Sequence, residues 1–149
     1  MLQYKDGDIL EAEEKIICHQ TNCLGIMGAG LALQIAKKYP EVNKKYKDFC
    51  IDYGEWNFLG QTQLVNTHDG KIVANCFGQQ RPGFGKQTDY KALRTCLETV
   101  ERFASHNNFS VAIPYKIGCG LAGGDWKIVE KMIKDIFEKS TVQLCIYKL

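Results

Sequence analysis

The sequence predicts an α/β fold of three layers, with a mixed, mostly parallel sheet of about six strands and helices on both faces. Three observations carry that expectation. An apolar run at residues 15–20 leads straight into a glycine-containing loop and then into apolar positions at helical spacing, and the same succession begins again at residue 110. Strand, loop and helix met twice in that order is how parallel strands are joined. Between them lie two β-patterned runs, 61–67 and 71–77, separated by His68-Asp69-Gly70, an Asp-Gly turn of the kind that closes an antiparallel hairpin. The sheet is therefore expected to be mixed.

Each element has a local reason. Residues 2–4 form a short strand entering the turn Lys5-Asp6-Gly7-Asp8, which leaves Asp8 at a strand's end, and residues 11–15 read as a solvated connector. After the first glycines, Leu31, Ala32, Ile35, Ala36 and Tyr39 mark one helix face; Pro40 stops that helix by disfavouring helical geometry in the residue before it. Pro40 then suits the first turn of a second helix, with Val42, Tyr46, Phe49, Cys50 and Tyr53 inward and Gly54 as its stop. Residues 78–87, GQQRPGFGKQ, predict a mobile surface loop of the kind that often covers a site. Thr88 is expected to cap a long helix carrying Tyr90, Leu93, Leu97, Val100 and Ala104, closed by His106-Asn107-Asn108. A last helix from Trp126 turns Val129, Met132, Ile133, Ile136 and Phe137 inward, and residues 142–147 form the final strand. With no linker, repeat or low-complexity tract, the 149 residues read as a single domain.

Composition narrows the function classes. The 19 basic and 17 acidic residues leave a net charge of +2 with no long basic block, so the charge pattern itself calls for neither nucleic acid nor an acidic membrane. A small anionic ligand fits. Seven cysteines form no CxxC pair, and Cys18, Cys76 and Cys145 sit inside apolar runs as small hydrophobes, which points to a reducing, cytoplasmic setting. Neither an export signal nor a membrane-spanning run is visible, and no metal-ligand spacing or cofactor fingerprint is expected.

The chemistry is concentrated in the two glycine loops. Gly25, Gly28 and Gly30 in the first, and Gly118, Gly120, Gly123 and Gly124 in the second, allow backbone N–H groups to approach a ligand closely, with a helix N-terminus behind each. Such a place favours phosphate. The first loop lacks the Lys of GxxxxGK[ST], since Leu31 follows Gly30, and its glycines are not in the GxGxxG order of a nicotinamide dehydrogenase. Because ligands of open α/β sheets bind beyond the carboxyl ends of strands, the two loops can face one crevice and hold a diphosphate between them.

Over nearly its whole length the chain resembles the macrodomain, the ADP-ribose-binding fold: KDGDIL at residues 5–10 is similar to the family's adenine-binding motif, CHQTNCLGIMGAGLA to its first phosphate loop and IPYKIGCGLAGGDW to its second. Within that family it is similar to the branch of the terminal ADP-ribose protein glycohydrolase and the yeast-type ADP-ribose-1″-phosphate phosphatase. By that resemblance Asp8 accepts from the adenine amino group with the Ile9 backbone beside it. Gly28, Ala29 and Gly30 line one side of the diphosphate, Gly118, Cys119, Gly120, Leu121 and Ala122 the other, and Asn22 and His19 lie under the distal ribose. The pattern departs where the glycohydrolase has its ribose-directed Asp and its Lys: here stand Ala122, with Asp125 as the nearest carboxylate, and Gly78, Gln79 and Gln80, with Arg81 and Lys86 out of register.

Each role has a plainer counterpart. Asp8 can stabilise a turn, Asn22 can satisfy its own loop, and Asp125 is the natural N-cap of the Trp126 helix. His19 can be a hydrogen-bonded core residue or a catalytic general acid or base near pH 7, with catalytic Asp125 or a substrate phosphate orienting the water. Cys119 has no adjacent base and reads as structural; Tyr147 either flanks the adenine or packs on the sheet. The expected function is ADP-ribose binding with hydrolysis at the distal ribose, ADP-ribose-1″-phosphate being the leading substrate. The alternatives are glycohydrolysis of ADP-ribosylated protein or nucleic acid, deacetylation of O-acetyl-ADP-ribose, and a non-catalytic ADP-ribose reader.

Overall fold

The computed structural model describes residues 2–53, 58–82, 85 and 87–149; Gly54, the expected stop of the second helix, and Lys86 lie outside the described residues. In chain order the elements are β1 (Leu2–Asp6), a 3-10 turn (Ile9–Glu11), β2 (Ile16–Thr21), α1 (Gly30–Lys38), α2 (Pro40–Tyr53), β3 (Thr62–Asn66), β4 (Ile72–Phe77), α3 (Tyr90–Asn107), β5 (Val111–Pro114), α4 (Trp126–Phe137) and β6 (Leu144–Lys148). The six strands form one sheet in the order β1-β6-β5-β2-β4-β3; only β3 runs antiparallel to its neighbour. This is the expected mixed, mostly parallel sheet.

Alternation along the strands divides the core into two apolar layers. On one face Ile16, Cys18, Ala74, Cys76, Val111, Ile113, Leu144 and Ile146 pack against Leu93, Leu97 and Val100 of α3 and Val129, Ile133 and Phe137 of α4. On the other, Val65, Val73 and Phe77 meet Ile35 of α1, Tyr39, and Val42 and Tyr46 of α2. Ile17, Ala112, Cys145 and Tyr147 meet Ile9 and Ala12 on that same side. Each fully buried large apolar side chain contributes about 1.5–3 kcal/mol, so both layers are firmly held. No helix among the described residues is long and apolar enough to cross a membrane.

Two local expectations change. The cap of α3 is Asp89, whose carboxylate accepts from Ala92 N; Thr88, one residue earlier, is buried and its hydroxyl donates to the Gly118 carbonyl at 2.6 Å. Both residue types can cap, and the start of the helix selects the second. Part of the 11–15 connector belongs to a 3-10 turn capped by Asp8 and followed by buried Ala12. The hairpin turn is tied down as well: Asp69 accepts from the hydroxyls of Thr67 and Tyr39, and Glu41 on α2 accepts from His68 N.

Candidate functional site

Strands β2 and β5 are neighbours whose following helices lie on opposite faces, α1 on one and α4 on the other. A crevice opens where such connections diverge. The β2–β5 ladder covers only Ile16 and Ile17, whereas β2 stays paired with β4 to Thr21. Beyond Ile17 the β5 side of β2 is unpaired, and a cleft of about 510 Å³ forms there, lined by His19, Thr21 and Asn22 below, Gly28–Ala32 on one wall and Pro114–Gly118 with Gly120–Ala122 on the other. Its size is that of a small-molecule site.

The walls are backbone-rich. Ala29, the N-cap of α1, offers no side-chain cap, so the first N–H groups of the helix are left for a ligand. Opposite, Gly118 has φ +73°, a conformation that favours glycine, while the N–H groups of Gly120, Leu121 and Ala122 donate to no backbone carbonyl among the described residues. The second loop is braced from behind. The Ala122 carbonyl accepts from both Gln87 N and Thr88 N, and Gln20 reaches across to donate to Gln79 Oε1 and Thr88 Oγ1.

The floor is polar and buried. His19 is 2% exposed and its Nε2 lies 2.6 Å from Asn75 Oδ1, on the paired position of β4; its Nδ1 and the Thr21 hydroxyl are buried with no protein partner. Burial pushes the imidazole pKa down to about 4, the Asn75 contact opposing that only in part. His19 is thus neutral at pH 7, which narrows the expected general acid or base to an acceptor or base. Asn22 lines the cleft but its amide also serves its own loop, accepting from Leu24 N at 3.0 Å and Tyr46 Oη at 2.8 Å and donating to the Ile26 carbonyl.

Five candidate residues lie outside the lining. Asp8 is exposed at the carboxyl end of β1 and accepts from Leu10 N, while Ile9 packs behind Leu31, which does line the cleft. Cys119 points its thiol at the Ile117 carbonyl, and burial, then the nearby Asp125 charge, pushes that thiol up to about 11, so it is no nucleophile. Asp125 is exposed and caps α4 by accepting from Lys127 N. The structure does not bring it to the cleft. Tyr147 packs on the sheet with its hydroxyl on Glu14.

Sequence reasoning missed several residues. Lys116, a non-glycine residue at φ +62°, lines the cleft beside the second loop with its ammonium 5.5 Å from the Tyr115 ring centre; Gln20 and Gln79 join the lining from strand and loop. A Lys two residues before a glycine loop was the available signal. Asn75 had none, being one polar residue within a strand.

The Macro domain family profile matches residues 18–133, most of the chain and both glycine loops. The chain belongs to the Macro domain family. Among its relatives, the DNA ADP-ribosyl glycohydrolase of Mycobacterium tuberculosis is 30% identical over 93% of this macrodomain, which spans 39% of that longer protein. The ADP-ribose 1″-phosphate phosphatase of Saccharomyces cerevisiae is 25% identical and is matched nearly end to end, over 99% of this chain and 98% of its own. The solved macrodomain of Mycobacterium tuberculosis DarG superposes with a TM-score of 0.84 at 31% identity, covering 100% of this chain and 98% of that one. The two curated relatives are named for two different reactions.

Proposed function

We propose that this macrodomain binds ADP-ribose in the β2–β5 cleft and hydrolyses a bond at the distal ribose. The observation that carries the reading is that two glycine loops, 90 residues apart in the sequence by the separation of Gly28 and Gly118, face each other across one cleft with unpartnered His19 Nδ1 and Thr21 Oγ1 on its floor. The backbone amides of residues 28–30 and 120–122 hold the diphosphate, and Lys116 offsets its charge. Asp8 and Ile9, at the β1 end, take the adenine. His19 and Thr21 meet the distal ribose or the water that attacks it, His19 accepting a proton as the new bond forms. The names of both relatives support hydrolysis of an ADP-ribose derivative, ADP-ribose-1″-phosphate or an ADP-ribosyl group on nucleic acid.

Calorimetry with ADP-ribose tests the site, and parallel incubation with ADP-ribose-1″-phosphate, O-acetyl-ADP-ribose and ADP-ribosylated protein and DNA tests the reaction. Binding with turnover of one of these is expected. Binding without turnover of any would replace the enzyme by a reader.

A further inference from the structure

Three side chains and one carbonyl form a line across the sheet from the cleft floor to α2. Gln63 Nε2 lies 3.1 Å from the Lys45 carbonyl, Asn75 Nδ2 lies 3.0 Å from Gln63 Oε1, and His19 Nε2 lies 2.6 Å from Asn75 Oδ1. Register produces the alignment, since Gln63 pairs with Asn75 and Asn75 with His19 on adjacent strands.

The line has a direction. A backbone carbonyl can only accept, so Gln63 must turn its NH₂ toward Lys45 and its oxygen toward Asn75. Asn75 then donates to Gln63 and turns its own oxygen toward His19. Facing an oxygen, Nε2 must carry the proton. Turning either amide over sets oxygen against oxygen or NH₂ against NH₂ at one link or more. We infer that Asn75 and Gln63 are positioning residues that hold His19 as its Nε2–H tautomer, so that Nδ1 presents a lone pair to a ligand hydroxyl in the cleft.

Two observations agree with this. Nδ1 is buried without a protein partner on a residue that lines the cleft, as an acceptor awaiting a donor would be. Burial also keeps the ring neutral, which a lone pair at Nδ1 requires. The chemistry selects what can lie over His19: a hydroxyl or water can donate to Nδ1, whereas a phosphate oxygen would meet lone pair with lone pair. The phosphates are thereby confined to the glycine walls and a polyol to the floor. Naming that polyol as the distal ribose rests on the ADP-ribose reading above.

Gln63 allows a clean test because it is half-buried on the edge strand β3, where substitution is tolerated. Gln63→Glu can only accept, so it gives up the link to the Lys45 carbonyl but keeps an oxygen toward Asn75 and hence the direction of that amide, while Gln63→Lys can only donate and reverses Asn75. Nitrogen-15 NMR of the imidazoles at pH 8 should show a pyrrole-type Nε2 on His19 in wild type and Gln63→Glu, with the proton moving to Nδ1 in Gln63→Lys. ADP-ribose affinity should fall about five- to tenfold in Gln63→Lys only, and ADP, which lacks the second ribose, should bind all three alike. A wild-type His19 protonated on Nδ1, or a Gln63→Lys spectrum unchanged from wild type, would overturn the inference. An Nε2–H wild type that binds no ADP-ribose would instead overturn the proposed function and leave the tautomer assignment standing.

Discussion

The Gln20 side-chain oxygen occupies the space that a side chain on Gly118 would need: a Cβ there would stand 2.9 Å from Gln20 Oε1 and 3.2 Å from Thr88 Oγ1. Gly118→Ala therefore carries both a crowding cost and the strain of φ +73°. The expected outcome is a lower melting temperature together with weaker ADP-ribose binding. Gly28 is the contrast, since a Cβ there would make only an ordinary 3.4 Å contact with Ile26 and φ is not positive. Gly28→Ala should melt near wild type and still lose affinity for ADP-ribose. Melting and calorimetry on the pair separate fold strain from ligand crowding.

His19 makes the fold sensitive to mild acid. Its pKa is about 4 when folded against about 6.5 when unfolded, so the unfolded chain takes up the proton first and stability falls as pH drops through that window. The contribution is complete above pH 6.5 and amounts to about 3 kcal/mol lost by pH 4. Denaturant unfolding at pH 7, 5.5 and 4.5 should show the decline, and His19→Gln should flatten it. An unchanged slope in the variant would assign the acid sensitivity to other groups.

Asp125 is expected to behave as a cap. Asp125→Ala removes the acceptor for Lys127 N and should cost about 1 kcal/mol, while Asp125→Asn keeps the cap and most of the stability. Neither should change ADP-ribose affinity by more than about twofold, a change within about 0.4 kcal/mol. Loss of turnover in Asp125→Asn, on whichever substrate the wild type hydrolyses, would restore the carboxylate to the mechanism.

Asp8 is proposed to take the adenine amino group with the carboxylate that also caps the 3-10 turn. A charge-assisted acceptor is worth roughly 1.5–3 kcal/mol, so Asp8→Ala should weaken ADP-ribose by about ten- to a hundredfold. Asp8→Asn should keep the turn and lose a similar part of the affinity, because its NH₂ cannot accept. Equal affinity in a folded Asp8→Ala protein would move the adenine elsewhere.

Both walls of the cleft were legible in the sequence because glycine loops between strand and helix are local signals. The hairpin was legible for the same reason: Asp69-Gly70 announces a turn without help from distant residues. The start of α3 was misread by one residue because Thr88 and Asp89 are both good caps, and the difference lies in a contact to Gly118, 30 residues away. His19 could be named as a site candidate, and it does line the cleft, but its charge state was out of reach, since that depends on burial and on Asn75, 56 residues on. Gln63 and Lys45 were beyond reach altogether. Their part comes from strand register and from one carbonyl of α2, and neither leaves a mark on local composition.

The shared acceptor at Ala122 ties two segments of chain into one moving part. With Gln87 N at 2.7 Å and Thr88 N at 3.2 Å on the same carbonyl, neither amide can be released by a shift of the Gly118–Ala122 segment without releasing the other. In deuterated solvent these two hydrogens are expected to exchange together when the second wall of the cleft shifts. Their uptake is therefore expected to report movement of the second cleft wall from outside it, and a ligand that bridges the walls should slow both.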